Sequence, residues 1–203
     1  MANLPKKTVQ KLAVLYALTL WQRGAYGAFR VHKTLFYADK GKPKHLFTFK
    51  RYHYGQYSDD VVTVLNSLQR SGRLTVHFDG PSERLKPMIP HEALHKIESL
   101  LKKNLPDWFC GLRKSFRELG YLKNDDIMEI AHDDETYTEV EHDKVIFESS
   151  LRESVPFEDL DQEWAEKLND LVDAKFTATL VERFEQACKT PQQNSNWREL
   201  FNE

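Results

Sequence analysis

The chain has 203 residues, of which 40% are hydrophobic and 12% aromatic, enough to bury a core and so to exclude a disordered chain. Only Cys110 and Cys188 are present, which excludes a disulfide framework, and both are expected as buried or neutral thiols. The formal charge of -2 hides a division: residues 1–123 carry 22 Lys or Arg against 9 Asp or Glu, a balance of +13, whereas residues 124–203 carry 7 against 22, a balance of -15. Such poles point to a basic nucleic-acid face, an acidic partner-binding face, or neutralisation of one half by the other.

In chain order, Val9, Leu12, Leu15, Tyr16 and Leu20 recur at helical steps and predict a helix over residues 8–22, closed by Gly24 and Gly27. A second helix is expected over residues 29–39, with Val31, Leu35, Phe36 and Ala38 on its buried face and Arg30 and Lys33 off it. Gly41 and Pro43 stop that helix. Residues 46–52 alternate aromatics with cations at period two, the pattern of a half-buried strand that turns its rings inward and its charges outward. Tyr54 to Ser58 then supplies a turn and an N-cap serine for a helix over residues 58–71, whose apolar face is Val61, Val62, Leu65 and Leu68. Residues 73–78 and 83–88 read as a hairpin, with Pro87 confining the second strand to an edge or an end. Helix, strand, helix and hairpin in this order is winged-helix topology, with residues 58–71 in the recognition position.

The pattern beyond is helical. Residues 91–104 follow Pro90, Pro106 opens a helix through Phe116, and Asn124-Asp125-Asp126 caps a third. From Glu135 to Asp159 acids, Thr and Pro outnumber apolar residues, so a loop or joint is expected, with Val145-Ile146-Phe147 as a short strand or partner contact. A long helix is predicted from near Asp161 to Cys188, because Trp164, Leu168, Leu171, Val172, Phe176, Leu180 and Phe184 form a wide apolar stripe that must be covered. The fold class expected is mostly α within α+β. A winged-helix-like helical domain with one strand and a β-hairpin spans residues 1–148, and an acidic extension with an amphipathic helix, docked on that domain, spans residues 149–203.

Three segments carry a family likeness. Arg30-Val31-His32-Lys33-Thr34-Leu35-Phe36, Tyr54-Gly55-Gln56-Tyr57-Ser58 and the stretch from Ile127 to Tyr137 around His132 resemble, in the same order, the helix, the Tyr-Gly-Pro-Tyr-Ser turn and the His-containing segment of the SocA-like Panacea antitoxin domain. The likeness spans roughly residues 8 to 148. It marks Lys33, Phe36, Tyr54, Gly55, Ser58 and His132 as structural motif positions. His32 stands where the family usually has Gln, and Gln56 where it usually has Pro. The resemblance implies a non-enzymatic protein-binding antitoxin, found in bacteria, archaea and phages, that neutralises a cognate toxin by direct contact or hands it to a protease as an adaptor. It implies no cofactor and no catalytic residue. Beside it, the C-terminal extension offers Trp164, Phe176, Phe184 and Trp197 as partner anchors, with the surrounding carboxylates steering the encounter.

Other constellations are weighed against plainer readings. His91 and His95 have the four-residue spacing of a helical metal pair, but no third ligand is evident, so a solvated helix face is expected and no metal site is assigned. His132-Asp133-Asp134 and His142-Asp143 read as structural. There is no Gly-rich phosphate loop, nucleophile elbow or Cys-x-x-Cys. Lys40, Lys42, Lys44, Lys50 and Arg51, with Arg84 in the hairpin, are the phosphate contacts of the alternative reading, a winged-helix transcription regulator. Asp59 and Asp60 at the start of the recognition-position helix count against it, since acids there repel DNA. No apolar run approaches the ~20 residues of a membrane span, and the first residues lack a signal-peptide pattern. A cytoplasmic chain without membrane contact is expected, and homodimerisation stays open.

Overall fold

The computed structural model describes residues 1–79 and 82–173. Its centre is helix α1 (Lys6–Thr19), which buries Val9, Leu12, Ala13, Val14, Leu15, Tyr16, Ala17 and Leu18 and so is apolar nearly all round, as a helix enclosed by its own fold must be. It begins at Pro5, whose fixed φ of -57° suits a helix start and whose missing N–H leaves one fewer orphan donor. Around it lie α2 (Gly27–Asp39), α3 (Asp59–Arg70), α4 (His91–Asn104), α5 (Pro106–Leu119), α6 (Asn124–Asp133), a single turn α7 (Glu135–Glu139) and α8 (Gln162–Val172). The fold is mixed α+β.

Among the described residues the strands are short and form three antiparallel sheets. β1 (Ala2–Pro5) pairs with β8 (Ser154–Phe157), setting Ala2 opposite Phe157 and Leu4 opposite Val155. β2 (Ala25–Tyr26) joins the hairpin of β5 (Leu74–Asp79) and β6 (Ser82–Pro87), in the order β2-β6-β5. β3 (Phe49–Tyr52) lies between β4 (Gly55–Tyr57) and β7 (Val145–Phe147). Its Phe49 is fully buried and rests edge-on against Phe36 and Phe147, while Lys50 and Arg51 are both half-buried, and by period-two alternation Arg51 shares the face of Phe49 and Lys50 takes the opposite one.

The helices of residues 27–119 fall close to their sequence boundaries because each is punctuated locally. Ser58 Oγ accepts from the Val61 N–H at 3.3 Å as N-cap of α3, and Pro106 occupies the first turn of α5. α2 packs along α5, where a Cβ on Gly111 would stand 2.6 Å from the Ala38 carbonyl oxygen, so only glycine admits this approach. Ser115 Oγ donates to the Thr34 carbonyl at 2.8 Å across the same contact.

Several expectations need correcting. The strand expected over residues 46–52 begins only at Phe49. The preceding residues are held by Asp39, whose carboxylate accepts the Leu46 and Phe47 N–H groups at 3.0 Å and thereby spends the bonds a ladder would need. Arg30 and Lys33, read as lying off the buried face of α2, are 7% and 1% exposed, because backbone carbonyls receive their charges inside the fold. The region expected as a loop from Glu135 holds α7, β7 and β8, so the β content is larger than one strand and a hairpin. α8 starts where Asp161 predicts, its side chain accepting the Trp164 N–H at 2.7 Å, but it closes at Val172 with Asp173 extended. Phe176, Phe184, Trp197 and Cys188 lie outside the described residues. Cys110 is exposed rather than buried.

Phe157, Leu160, Ala165, Leu168, Leu171 and Val172 join the same apolar core as α1. Thr8 Oγ1 donates to Asn169 Oδ1 at 2.8 Å, while Lys11 Nζ and Arg73 Nε reach the Val172 and Leu171 carbonyls at 3.0 and 2.8 Å. Those cations satisfy the end of α8 and complement its negative pole. Because Phe157 is 1% exposed in this seam, Phe157→Ala is expected to cost about 3 to 5 kcal/mol of stability by the usual large-to-small cavity penalty, measured by urea unfolding.

Candidate functional site

Two of the three segments that carry the family likeness meet at one buried ammonium, and the third joins them through Gln56. Lys33, in the second turn of α2, sends its Nζ to the carbonyl oxygens of Tyr54 at 2.6 Å and Gln56 at 3.0 Å, and to Gln56 Oε1 at 3.4 Å. Three oxygens match the three donors of a lysine. Gln56 then bridges onward, its Nε2 donating to the Ala131 carbonyl at 3.1 Å and reaching Thr136 Oγ1 at 3.5 Å. Between them Gly55 takes φ +90°, and a Cβ there would stand 2.5 Å from Lys33 Nζ and 3.1 Å from the Ala131 Cβ. Glycine is required twice over, by conformation and by space.

The two departures from the family pattern have physical counterparts. Where proline would stiffen the turn, Gln56 does so by hydrogen bonding on both of its side-chain ends. His32 accepts the Ser58 N–H through Nδ1 at 3.3 Å and stacks flat on Tyr57 at 5.0 Å. Burial, and next the neighbouring Lys33 charge, push the His32 imidazole down to about 3, so it is neutral at physiological pH with its proton on Nε2. His132 stacks on Tyr137 at 4.5 Å, and Arg51 caps the other side of that assembly, 4.4 Å from the Tyr137 ring centre with Nη1 on the Val140 carbonyl at 2.6 Å. Phe36 is wholly buried against Phe49 and Phe147.

Above the lysine the surface opens into a cleft of about 260 Å³, lined by Ala28, Phe29, Tyr52, Tyr54, Tyr57 and Val62, with His32, Lys33 and Gln56 also on its wall. Tyr54 is 66% exposed and Tyr52 38% exposed. Sequence reading placed Tyr54 and Tyr57 in the turn motif, Tyr52 in the alternating strand and Val62 on the apolar face of the following helix, and did not bring them together with Phe29 as one cleft. The available signal was three tyrosines within six residues of a turn, a residue type favoured at protein interfaces. Burial draws the Lys33 ammonium down to about 7, against which the three oxygens work by favouring the charged form. The surface of the cleft is mostly apolar.

The sequence-predicted phosphate contacts are dispersed and mostly engaged. Lys40 pairs with Asp134 at 2.8 Å and Glu135 at 3.5 Å, and Lys50 with Asp59 at 2.9 Å. Arg84 stacks over Tyr26 at 4.4 Å. Lys42 is half-buried and Lys44 exposed. Trp164, the one C-terminal anchor within the described residues, is partly buried against the core, with Lys96 and Lys167 over its ring at 5.5 and 5.2 Å. Among the described residues no group of three or more His, Cys, Asp or Glu side chains is placed to hold a metal ion, and no helix is long and apolar enough to cross a membrane.

No family model, curated protein or solved structure matches this chain.

The pH dependence of stability follows from Lys33. Between pH 7 and 10.5 the unfolded chain retains a lysine proton that the folded chain has released, so stability rises with pH through that window. The stability of the native chain relative to Lys33→Met is expected to increase from pH 7 to pH 10 in parallel urea titrations. A constant difference would show that the folded lysine titrates like a free one.

Proposed function

We propose that this chain is a non-enzymatic, antitoxin-like protein-binding module, in which the aromatic cleft over Lys33 receives an apolar side chain of a cognate toxin. The observation that carries the reading is the linkage of the three Panacea-like segments by one buried lysine and Gln56 beneath an apolar, tyrosine-rich opening. A buried cation tied to three oxygens positions a turn, and rigid aromatic side chains lose little conformational entropy when they bind, so the arrangement favours recognition over reaction. Occlusion of the toxin surface is the mechanism preferred here, with delivery to a protease as a second use of the same contact. The acidic balance of residues 124–203 would steer a basic partner.

A winged-helix-like core is part of this proposal, since α2, β3, α3 and the β5–β6 hairpin follow one another in that order. It also supports the second reading, a DNA-binding regulator, because Thr63, Asn66, Ser67 and Arg70 of α3 share a cleft of about 550 Å³ with Lys7 and Lys11. The engagement of Lys40, Lys50 and Arg51 within the chain weighs against it.

Co-expression with the adjacent reading frame separates the two. If that frame encodes the toxin, this chain rescues growth and co-purifies with the product, and Phe29→Ala with Tyr54→Ala weakens the complex at least about tenfold, as loss of interface hot spots does. Lys7→Ala with Arg70→Ala leaves the complex intact. Absence of both rescue and complex, together with steeply salt-dependent DNA binding lost in the Lys7 and Arg70 variant, would replace the antitoxin reading by the regulator.

A further inference from the structure

We infer that His91 and His95 form a surface site for a single divalent transition-metal ion of the tetragonal class, Cu²⁺ above all. The spacing of the pair is a helical i, i+4 step, but spacing alone says nothing about where the ring nitrogens point. In the structure the two Nε2 atoms stand 3.1 Å apart, with ring centroids at 4.3 Å and planes nearly perpendicular at 84°. Both side chains are exposed, on the first two turns of α4, which holds the core from its other face through Ile97, Leu100 and Leu101.

An imidazole pair at that separation shares one proton, one Nε2 donating while the other accepts. An ion that displaces that proton can bind both nitrogens from a position off the line between them. Two metal–nitrogen bonds of about 2.1 Å that span 3.1 Å subtend an angle of about 95° at the ion. That is close to the right angle between neighbouring ligands of a square-planar or octahedral ion and well short of the tetrahedral angle preferred by zinc. With imidazole donors the affinity order places Cu²⁺ first, and Ni²⁺ shares the geometry. The two rings stand one turn apart on a regular helix, so chelation needs only rotation of their side-chain torsions to turn both Nε2 lone pairs toward the ion.

Among the described residues no third His, Cys, Asp or Glu completes the set, so the remaining positions go to water. His91 also occupies the first turn of the helix, the positive end of its dipole, which weakens cation binding there. A bidentate, solvent-open site of this kind is an exchangeable one and is not part of what holds the fold together. It is independent of the aromatic cleft and of the antitoxin reading.

The test is titration of the full chain with CuSO₄ in a non-coordinating buffer, followed by electron paramagnetic resonance and calorimetry. One equivalent is expected to bind ahead of any other, with hyperfine structure from two imidazole nitrogens. His91→Ala and His95→Ala should each weaken that equivalent at least about tenfold, since each removes the chelate. The control, His53→Ala with His142→Ala, removes the other contacting imidazole pair, whose ring centroids lie 4.2 Å apart, and should leave that equivalent unchanged. Retention of the tight equivalent in the double variant His91→Ala, His95→Ala, or its loss in the His53 and His142 control, would overturn the assignment.

Discussion

A lysine ammonium enclosed by the fold must find oxygens there, and much of this structure follows from how Lys33 does so. Leaving such a charge unpaired away from water would cost several kcal/mol, an appreciable part of a small domain's net stability. The turn at residues 54–56 supplies the oxygens, and it can approach closely only because Gly55 has no side chain and adopts a positive φ. Gln56 carries the connection to α6 and the turn beyond it. One cation thus ties together a helix, a hairpin and a segment some 75 residues further on, and it fixes the tyrosines that form the cleft. Buried ionic groups are not a general source of stability. Here the gain is a defined turn geometry beneath a surface suited to recognition.

Among the described residues, Lys40 and Lys103 of the basic half pair with carboxylates of the acidic half, and further cations reach backbone carbonyls there. Lys40 with Asp134, Lys103 with Glu158 and Asp159, Lys96 with the Asp159 carbonyl, and Lys11 and Arg73 at the end of α8 all join the basic half to the acidic one. Exposed pairs of this sort are screened by water and hold little stability, so apolar burial of Phe157, Leu160 and Leu168 does more to hold the seam. The pairs matter chiefly for what they take away. Cations that face carboxylates in the same molecule are less available to phosphates, which shifts the weight from nucleic acid toward a protein partner.

How much of this could be read from the amino-acid order depends on whether the determinant is local. Caps, Gly and Pro punctuation and 3.6-residue periodicity are local, and α2 through α5 accordingly fall near their expected positions. The β1–β8 pair is not local. Each strand is only four residues long and finds its partner from near the opposite end of the described chain, with no hairpin turn to announce it. The same limit hid the site. A lysine off an apolar stripe reads as solvated, and only the fold reveals that the Tyr54 and Gln56 carbonyls stand over it. Phe29 on α2 and the tyrosines of the hairpin become neighbours only when that turn closes. The core of α1 covers the described part of the wide stripe beyond Asp161, through Leu168, Leu171 and Val172.

The claim that Lys33 organises the turn and the cleft above it is tested most directly by amide hydrogen exchange of the native chain beside Lys33→Met. The account predicts a selective loss of protection at the Ser58 and Val61 amides and through residues 131–137, with α1 and α5 exchanging as before. Unchanged protection at residues 54–61, or a uniform loss across every helix, would contradict it.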